Sequence, residues 1–176
     1  MPPNSVDLAE LVGRIQSGDQ RATAELVRRT QDFLLRLAHG MVGDFHAAQD
    51  LLQETYLTGL ARLHQLREPA QVRAWLARIL RRLCYKSLKQ RRPTVEIEEQ
   101  ASLETGPDET AVTRVQLRQT LAELTPIERE AVLLRDMLGF SYEEMAEVME
   151  VPVGTVRSRL SAGRVRFEKL WKERKS

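Results

Sequence analysis

The chain has 176 residues and a formal net charge of +2, with 42 % hydrophobic, 30 % charged and 5 % aromatic residues, a composition that favours helices over β architecture. No apolar run approaches the roughly 20 residues that cross a bilayer, and the start Met1-Pro2-Pro3-Asn4-Ser5 lacks the basic and apolar regions of a secretory leader, so a cytoplasmic protein is expected. A single cysteine, Cys84, excludes an internal disulfide, and Cys84 with His39, His46 and His64 shows no metal-ligand spacing, so neither metal nor cofactor is expected.

In chain order, Leu8, Leu11, Val12 and Ile15 predict a short amphipathic helix that Gly18 ends. Asp19 is a good N-cap for a second helix running to about Met41, where Ala22, Leu26, Phe33, Leu34, Leu37 and Met41 keep close to helical spacing. Gly43 and Asp44 break the chain and cap a third helix with Phe45, Ala48, Leu51, Leu52, Leu60 and Leu63 on one apolar side. Pro69 opens a fourth, on which Val72, Trp75, Leu76, Ile79, Leu80 and Leu83 form a core stripe. At 100° per residue Arg78, Arg81, Arg82, Tyr85 and Lys89 project from roughly the opposite side.

After Pro93 apolar periodicity vanishes and acids, Ser102, Thr105, Gly106 and Pro107 follow, the composition of an exposed linker. Periodicity resumes near Val112 with Val115, Leu117, Leu121 and Leu124. Thr125-Pro126-Ile127-Glu128 and Ser141-Tyr142-Glu143-Glu144 are two capping boxes that predict three short helices in close succession. The expected architecture is all-α: a first domain over 6–93, a flexible acidic linker over 94–111, and a second, helix-turn-helix domain over 112–174.

Charge is sorted by block. Ten bases against one acid, Glu68, occupy Arg62 to Arg92; Thr94 to Val112 carries six acids and no base; from Arg157 onward the chain turns basic again. Two basic blocks parted by an acidic strap point to two contact surfaces for a polyanion, with two solvated helix faces as the plainer alternative. The charge pattern thus predicts a nucleic acid held at two stations along its length.

The segment from Ser141 to about Val148, a turn over Met149 to Pro152, and a helix from Val153 have the layout of a helix-turn-helix. Ala146 allows close approach, Val151 can bury in the corner, and Val156 and Leu160 hold the second helix down. Thr155, Arg157, Ser158, Arg159 and Arg164 then lie around its exposed part. Arginine there can bond phosphates or the O6/N7 edge of guanine. Met137, Met145 and Met149 are read as core around the corner, Cys84 as a semi-buried filler, Trp75 as core, and the three histidines as helix-end residues without a role.

Three segments in order, Leu124-Thr125-Pro126-Ile127-Glu128-Arg129-Glu130-Ala131-Val132, Gly139-Phe140-Ser141-Tyr142-Glu143-Glu144-Met145-Ala146 and Val151-Pro152-Val153-Gly154-Thr155-Val156-Arg157-Ser158-Arg159-Leu160, closely resemble the promoter-distal domain of extracytoplasmic-function sigma factors. Asp50-Leu51-Leu52-Gln53-Glu54-Thr55-Tyr56-Leu57 resembles that family's polymerase-binding helix, and Trp75-Leu76-Ala77-Arg78-Ile79 the start of its promoter-melting helix. The resemblance covers nearly the whole chain. It implies a non-enzymatic, monomeric initiation factor that binds core RNA polymerase through Asp50, Gln53 and Glu54. It also implies contact with the −10 element through Arg78, Arg81, Arg82, Tyr85, Lys86 and Lys89, and with the −35 element through Thr155, Arg157, Ser158, Arg159 and Arg164. Control by an anti-sigma factor is implied by the family alone. Arg82 and Lys86 stand where the family usually has asparagine and aspartate, which adds positive charge toward a DNA backbone and leaves the −10 base preference open.

Three rivals remain. A dimeric helix-turn-helix regulator predicts a long apolar seam, and the sequence offers no unused one. A mimic that only sequesters an anti-sigma factor has little need of arginines at 78, 81, 157 and 159. A helical enzyme needs a nucleophile with its base, a phosphate loop or a metal cluster, and none is legible.

Overall fold

The computed structural model of the chain describes residues 5–90 and 109–175, and among these all regular structure is helical. The acidic stretch expected as a linker lies outside the described residues as far as 108, and from Glu109 onward the chain is helical.

The first four helices are α1 (Ser5–Gln16), α2 (Gln20–Val42), α3 (Phe45–Arg62) and α4 (Val72–Gln90), the last preceded by two 3-10 turns, Leu63–Gln65 and Pro69–Gln71. Their breaks have local causes. Asp19 caps α2 by accepting from the Arg21 N–H at 2.9 Å, and Arg14 holds the same carboxylate at 2.7 Å. Gly43, at φ +76, closes α2 by donating to the His39 carbonyl at 2.8 Å, a left-handed turn for which glycine has no steric penalty. Asp44 then caps α3 through the Ala47 N–H at 2.9 Å.

These helices enclose one core, in which Leu26, Leu34, Leu37, Leu76, Ala77 and Leu80 are buried. The Thr30 and Tyr56 hydroxyls meet at 2.7 Å between α2 and α3, and burial pushes the Tyr56 phenol up to about 12. Two expectations change here. Phe45 does not join the core: it is exposed, with its ring edge-on to His39 and His46, and α3 instead turns Thr55 and Gly59 inward. Cys84 is fully buried rather than partly so.

The remaining helices are α5 (Glu109–Ala122), α6 (Pro126–Val132), α7 (Tyr142–Met149) and α8 (Val153–Lys175). Both capping boxes form, with Thr125 and Glu128 satisfying each other's backbone N–H groups before α6, and Ser141 and Glu144 doing so before α7. A π-helical turn, Leu133–Met137, extends α6. It rotates Met137 out of the corner, so that Met137 is exposed while Met145 and Met149 are buried as expected. The third helix of the succession is not short: α8 has 23 residues. Phe167 stacks on Trp171 one turn further along it, and Arg174 ties its end to Gln119 of α5 and to Glu123 just after that helix.

The two helix groups pack directly on one another, α4 against α7 and α2 against α6. Gly40 allows this, since a Cβ there would lie 2.7 Å from both terminal carbons of Leu133. Arg129 adds a polar clasp, donating to the carbonyls of Leu121, Ala122 and Leu124 at the end of α5 and to that of Met41 on α2, at 2.6 to 3.2 Å.

Candidate nucleic-acid interface

The helix-turn-helix consists of α7, the turn at Glu150–Pro152, and α8. Val156 and Leu160 are buried beneath α8, which directs the intervening positions outward. Arg157 and Ser158 are exposed and Thr155 and Arg159 half-buried. The Ser158 hydroxyl donates to the Thr155 carbonyl at 2.9 Å, and the Arg157 guanidinium lies 5.4 Å from the centre of the Tyr142 ring. Val151 and Ala146 are half-buried in the corner. Arg164, at the far end of this row, forms a two-point ion pair with Asp136, at 3.0 and 2.5 Å. It therefore faces nucleic acid already neutralised.

The turn contains one backbone exception. Glu150 caps α7 at φ +55, the left-handed region that favours glycine or asparagine, and it is the non-glycine residue at positive φ among the described residues. Its side chain reaches back to α4, where Arg82 binds it at two points, one of them 3.2 Å, and Arg81 approaches to 3.7 Å. Arg82 holds its carboxyl below the usual carboxylate range.

On α4 the open cationic face read from helical spacing is corrected. Arg78 lies 3.8 Å from Glu147, Arg81 donates to Glu130 at 2.5 Å, the Tyr85 hydroxyl donates to Glu130 at 2.8 Å, and Arg82 pairs with Glu150. Carboxylates from the second helix group thus pair with four of the six positions expected to meet the −10 element; of these Arg82 remains exposed, as Lys86 and Lys89 do. The sequence sorted the bases into a block correctly, but three acids more than 40 positions downstream fold onto it. Glu130 is 1 % exposed, and burial raises its carboxyl above the usual value against the opposing pull of Arg81 and the Tyr85 hydroxyl. Burial also raises Cys84, to about 12, so this thiol is not a reactive nucleophile.

Arg73, which helical spacing did not single out, is the central residue of this boundary. Its buried guanidinium lies 3.7 Å from the Phe140 ring centre and 5.2 Å from that of Phe33, donates to the Leu138 carbonyl at 2.5 Å and approaches Glu144 to 3.6 Å. An arginine inside an otherwise apolar stripe was its only signal in the sequence.

Asp50, Gln53 and Glu54 share the exposed side of α3. Leu57, one turn on, is 76 % exposed. It was missed, although an apolar residue seven positions after Asp50 returns to the same helix side. Among the described residues no group of three or more His, Cys, Asp or Glu could hold a metal ion, and no helix is long and apolar enough to cross a membrane.

Two family models match the chain, Sigma-70 region 2 over residues 26–94 and Sigma-70, region 4 over residues 114–167. The RNA polymerase sigma-H factor of Pseudomonas aeruginosa is 35 % identical over 176 residues, covering 91 % of each chain. The ECF RNA polymerase sigma-E factor of Salmonella typhimurium is 34 % identical over 172 residues, covering 88 % of each. Among solved structures, the sigma factor RpoE of Bartonella quintana, crystallised in complex with the anti-sigma factor NepR, superposes with a TM-score of 0.71 at 26 % identity, covering 85 % of this chain and 96 % of that one.

Proposed function

We propose that this chain, which belongs to the extracytoplasmic-function (ECF) RNA polymerase sigma factors, divides promoter recognition between its two helix groups. α3 presents Asp50, Gln53, Glu54 and Leu57 to core polymerase. The charged side of α4, with Arg78, Arg81, Arg82, Tyr85, Lys86 and Lys89, meets the −10 element once it is uncovered. α8 enters the major groove at the −35 element through Thr155, Arg157, Ser158, Arg159 and Arg164. We assign polymerase and −10 contact to a domain over 6–93 and −35 contact to a domain over 112–174.

The observation that carries this reading is the outward row on α8. Val156 and Leu160 anchor the helix while Arg157 and Ser158 between them are exposed, the geometry a recognition helix needs to reach base edges and phosphates. The chain has no chemistry of its own in this reading. Its contribution is selective binding, which lowers the free energy of the open promoter only at chosen sites. An anti-sigma factor is its negative regulator, a reading supported by the similarity to a sigma factor crystallised with one.

Run-off transcription with purified core polymerase and a pool of promoter fragments tests this function. Transcripts with defined starts that require the added chain are expected. Binding to a palindromic site without any effect on initiation would point to a dimeric regulator instead.

A further inference from the structure

We infer that His46, steadied by Phe45 and His39, is a further contact on the polymerase-docking side of α3 and extends that surface to the start of the helix. The inference rests on α3 being the polymerase-docking helix. His46, Asp50, Gln53 and Leu57 follow one another at i, i+4, i+7 and i+11 and all are exposed, so they form one row along α3, about 16 Å from end to end. Asp50 stands one helical turn from His46, while Ala48, Leu51 and Thr55 turn toward the core. Among the described residues neither ring nitrogen of His46 is held by a hydrogen bond or an ion pair, which leaves both for a partner.

The corner between α2 and α3 fixes where this ring sits. Gly43 turns the chain in the left-handed region and Asp44 caps α3 through the Ala47 N–H at 2.9 Å, which sets Phe45 at the first position of the helix. The Phe45 ring then meets His39 of α2 edge-on at 5.9 Å and His46 at 6.3 Å. Phe45 is 42 % exposed and stands outside the core, so its packing serves the two imidazoles it touches. Burial, with Arg118 nearby, holds His39 below the usual imidazole value, so the group behind Phe45 is neutral at pH 7. Asp50 and Glu54 call for cationic groups on the polymerase surface they meet. A neutral imidazole one turn away offers an acceptor nitrogen to the same N–H donors, whereas a permanent positive charge there would oppose them. The partner of His46 is therefore a basic surface of core polymerase, continuous with the one that Asp50 meets.

The test measures the affinity of full-length variants for purified core polymerase. His46→Ala is expected to bind roughly fivefold more weakly than the parent and His46→Lys more weakly still, while His46→Gln, which keeps an acceptor, stays close to the parent. His64→Ala, at an exposed histidine on the 3-10 turn after α3, is the control and should match the parent. Phe45→Ala should weaken binding in the parent but not further in His46→Ala, since it acts through that ring. Thermal unfolding and duplex promoter binding should be unchanged in His46→Ala. Parental affinity in His46→Ala, a His46→Lys variant that binds as well as His46→Gln, or an equal loss in His64→Ala would each overturn the inference, and additive losses at 45 and 46 would overturn the positioning role of Phe45. The double variant Asp50→Ala with Gln53→Ala is measured alongside. Its loss of affinity with His46→Ala unimpaired rejects the role of His46 alone, whereas a parent that does not bind polymerase rejects the docking reading as well.

Discussion

The guanidinium of Arg73 on α4 lies 3.7 Å from the centre of the Phe140 ring, a cation stacked on an aromatic face at the boundary between the two helix groups. Such a contact is worth about 2 kcal/mol when desolvated, and here a carbonyl and a second ring complete it. Arg73→Leu keeps the bulk and discards the cation. It is expected to loosen the boundary without unfolding either group, seen as faster amide hydrogen exchange confined to residues 133–141 and the first turns of α4. Uniformly faster exchange across α1–α3 would show that Arg73 supports the first core instead.

Arg157 is exposed and its contact with Tyr142 is distant, so Arg157→Ala should leave thermal stability within about 0.5 kcal/mol. Duplex promoter binding should nonetheless weaken, by about 1–3 kcal/mol if it reads a base, or with a salt slope reduced by about one if it holds a phosphate. Arg164→Ala should weaken binding less, because Asp136 already neutralises that side chain. Duplex titrations at several salt concentrations separate the three results.

Glu150 offers a test of backbone strain. A left-handed residue with a Cβ costs about 1–2 kcal/mol, and its partly exposed pair with Arg82 returns about 1 kcal/mol at most. Glu150→Gly should therefore be at least as stable as the parent in urea, and Glu150→Ala less stable than either, since it keeps the strain and loses the pair. Equal losses in both variants would mean that the carboxylate, not the backbone, dominates at this turn.

Acid affects the boundary through two carboxyls whose values are shifted in opposite directions. Glu130 faces Arg81, Tyr85 and Cys84 on α4 and Arg159 on α8, and its folded-state value lies above the usual 4.5 because it is buried. The folded chain therefore binds this proton more tightly than the unfolded chain, and stability attributable to Glu130 rises as pH falls toward 4.5. Glu150 is shifted below 4.5, so its contribution is present above that value and is lost only as pH falls through its lowered value. Between about pH 7 and about pH 5 the parent should gain stability relative to Glu130→Gln. Parallel denaturation curves for the two proteins across that range would contradict the assignment.

Local chemistry made much of this fold legible. Asp19, Asp44, Thr125 with Glu128, and Ser141 with Glu144 all cap as their positions suggested, because a cap depends on neighbours within three residues. Val156 and Leu160 were legible as anchors by spacing alone. Met137 was misread because a π-helical turn adds a residue to the repeat and rotates everything after it. The length of α8 was underestimated: its later half is held by half-buried Phe167 and Leu170 packed against the core, together with the Phe167–Trp171 stack and the Arg174 clasp. The pairing of Arg81 with Glu130 spans 49 positions, and neither periodicity nor charge sorting carries information at that range.

The division of labour between α3 and α8 is tested most directly by measuring core-polymerase affinity for two full-length variants, Asp50→Ala with Gln53→Ala on α3, and Arg157→Ala on α8. The first is predicted to lose affinity for polymerase while the second retains it. Loss of polymerase binding in Arg157→Ala, with the α3 variant unimpaired, would contradict the assignment of the two helices.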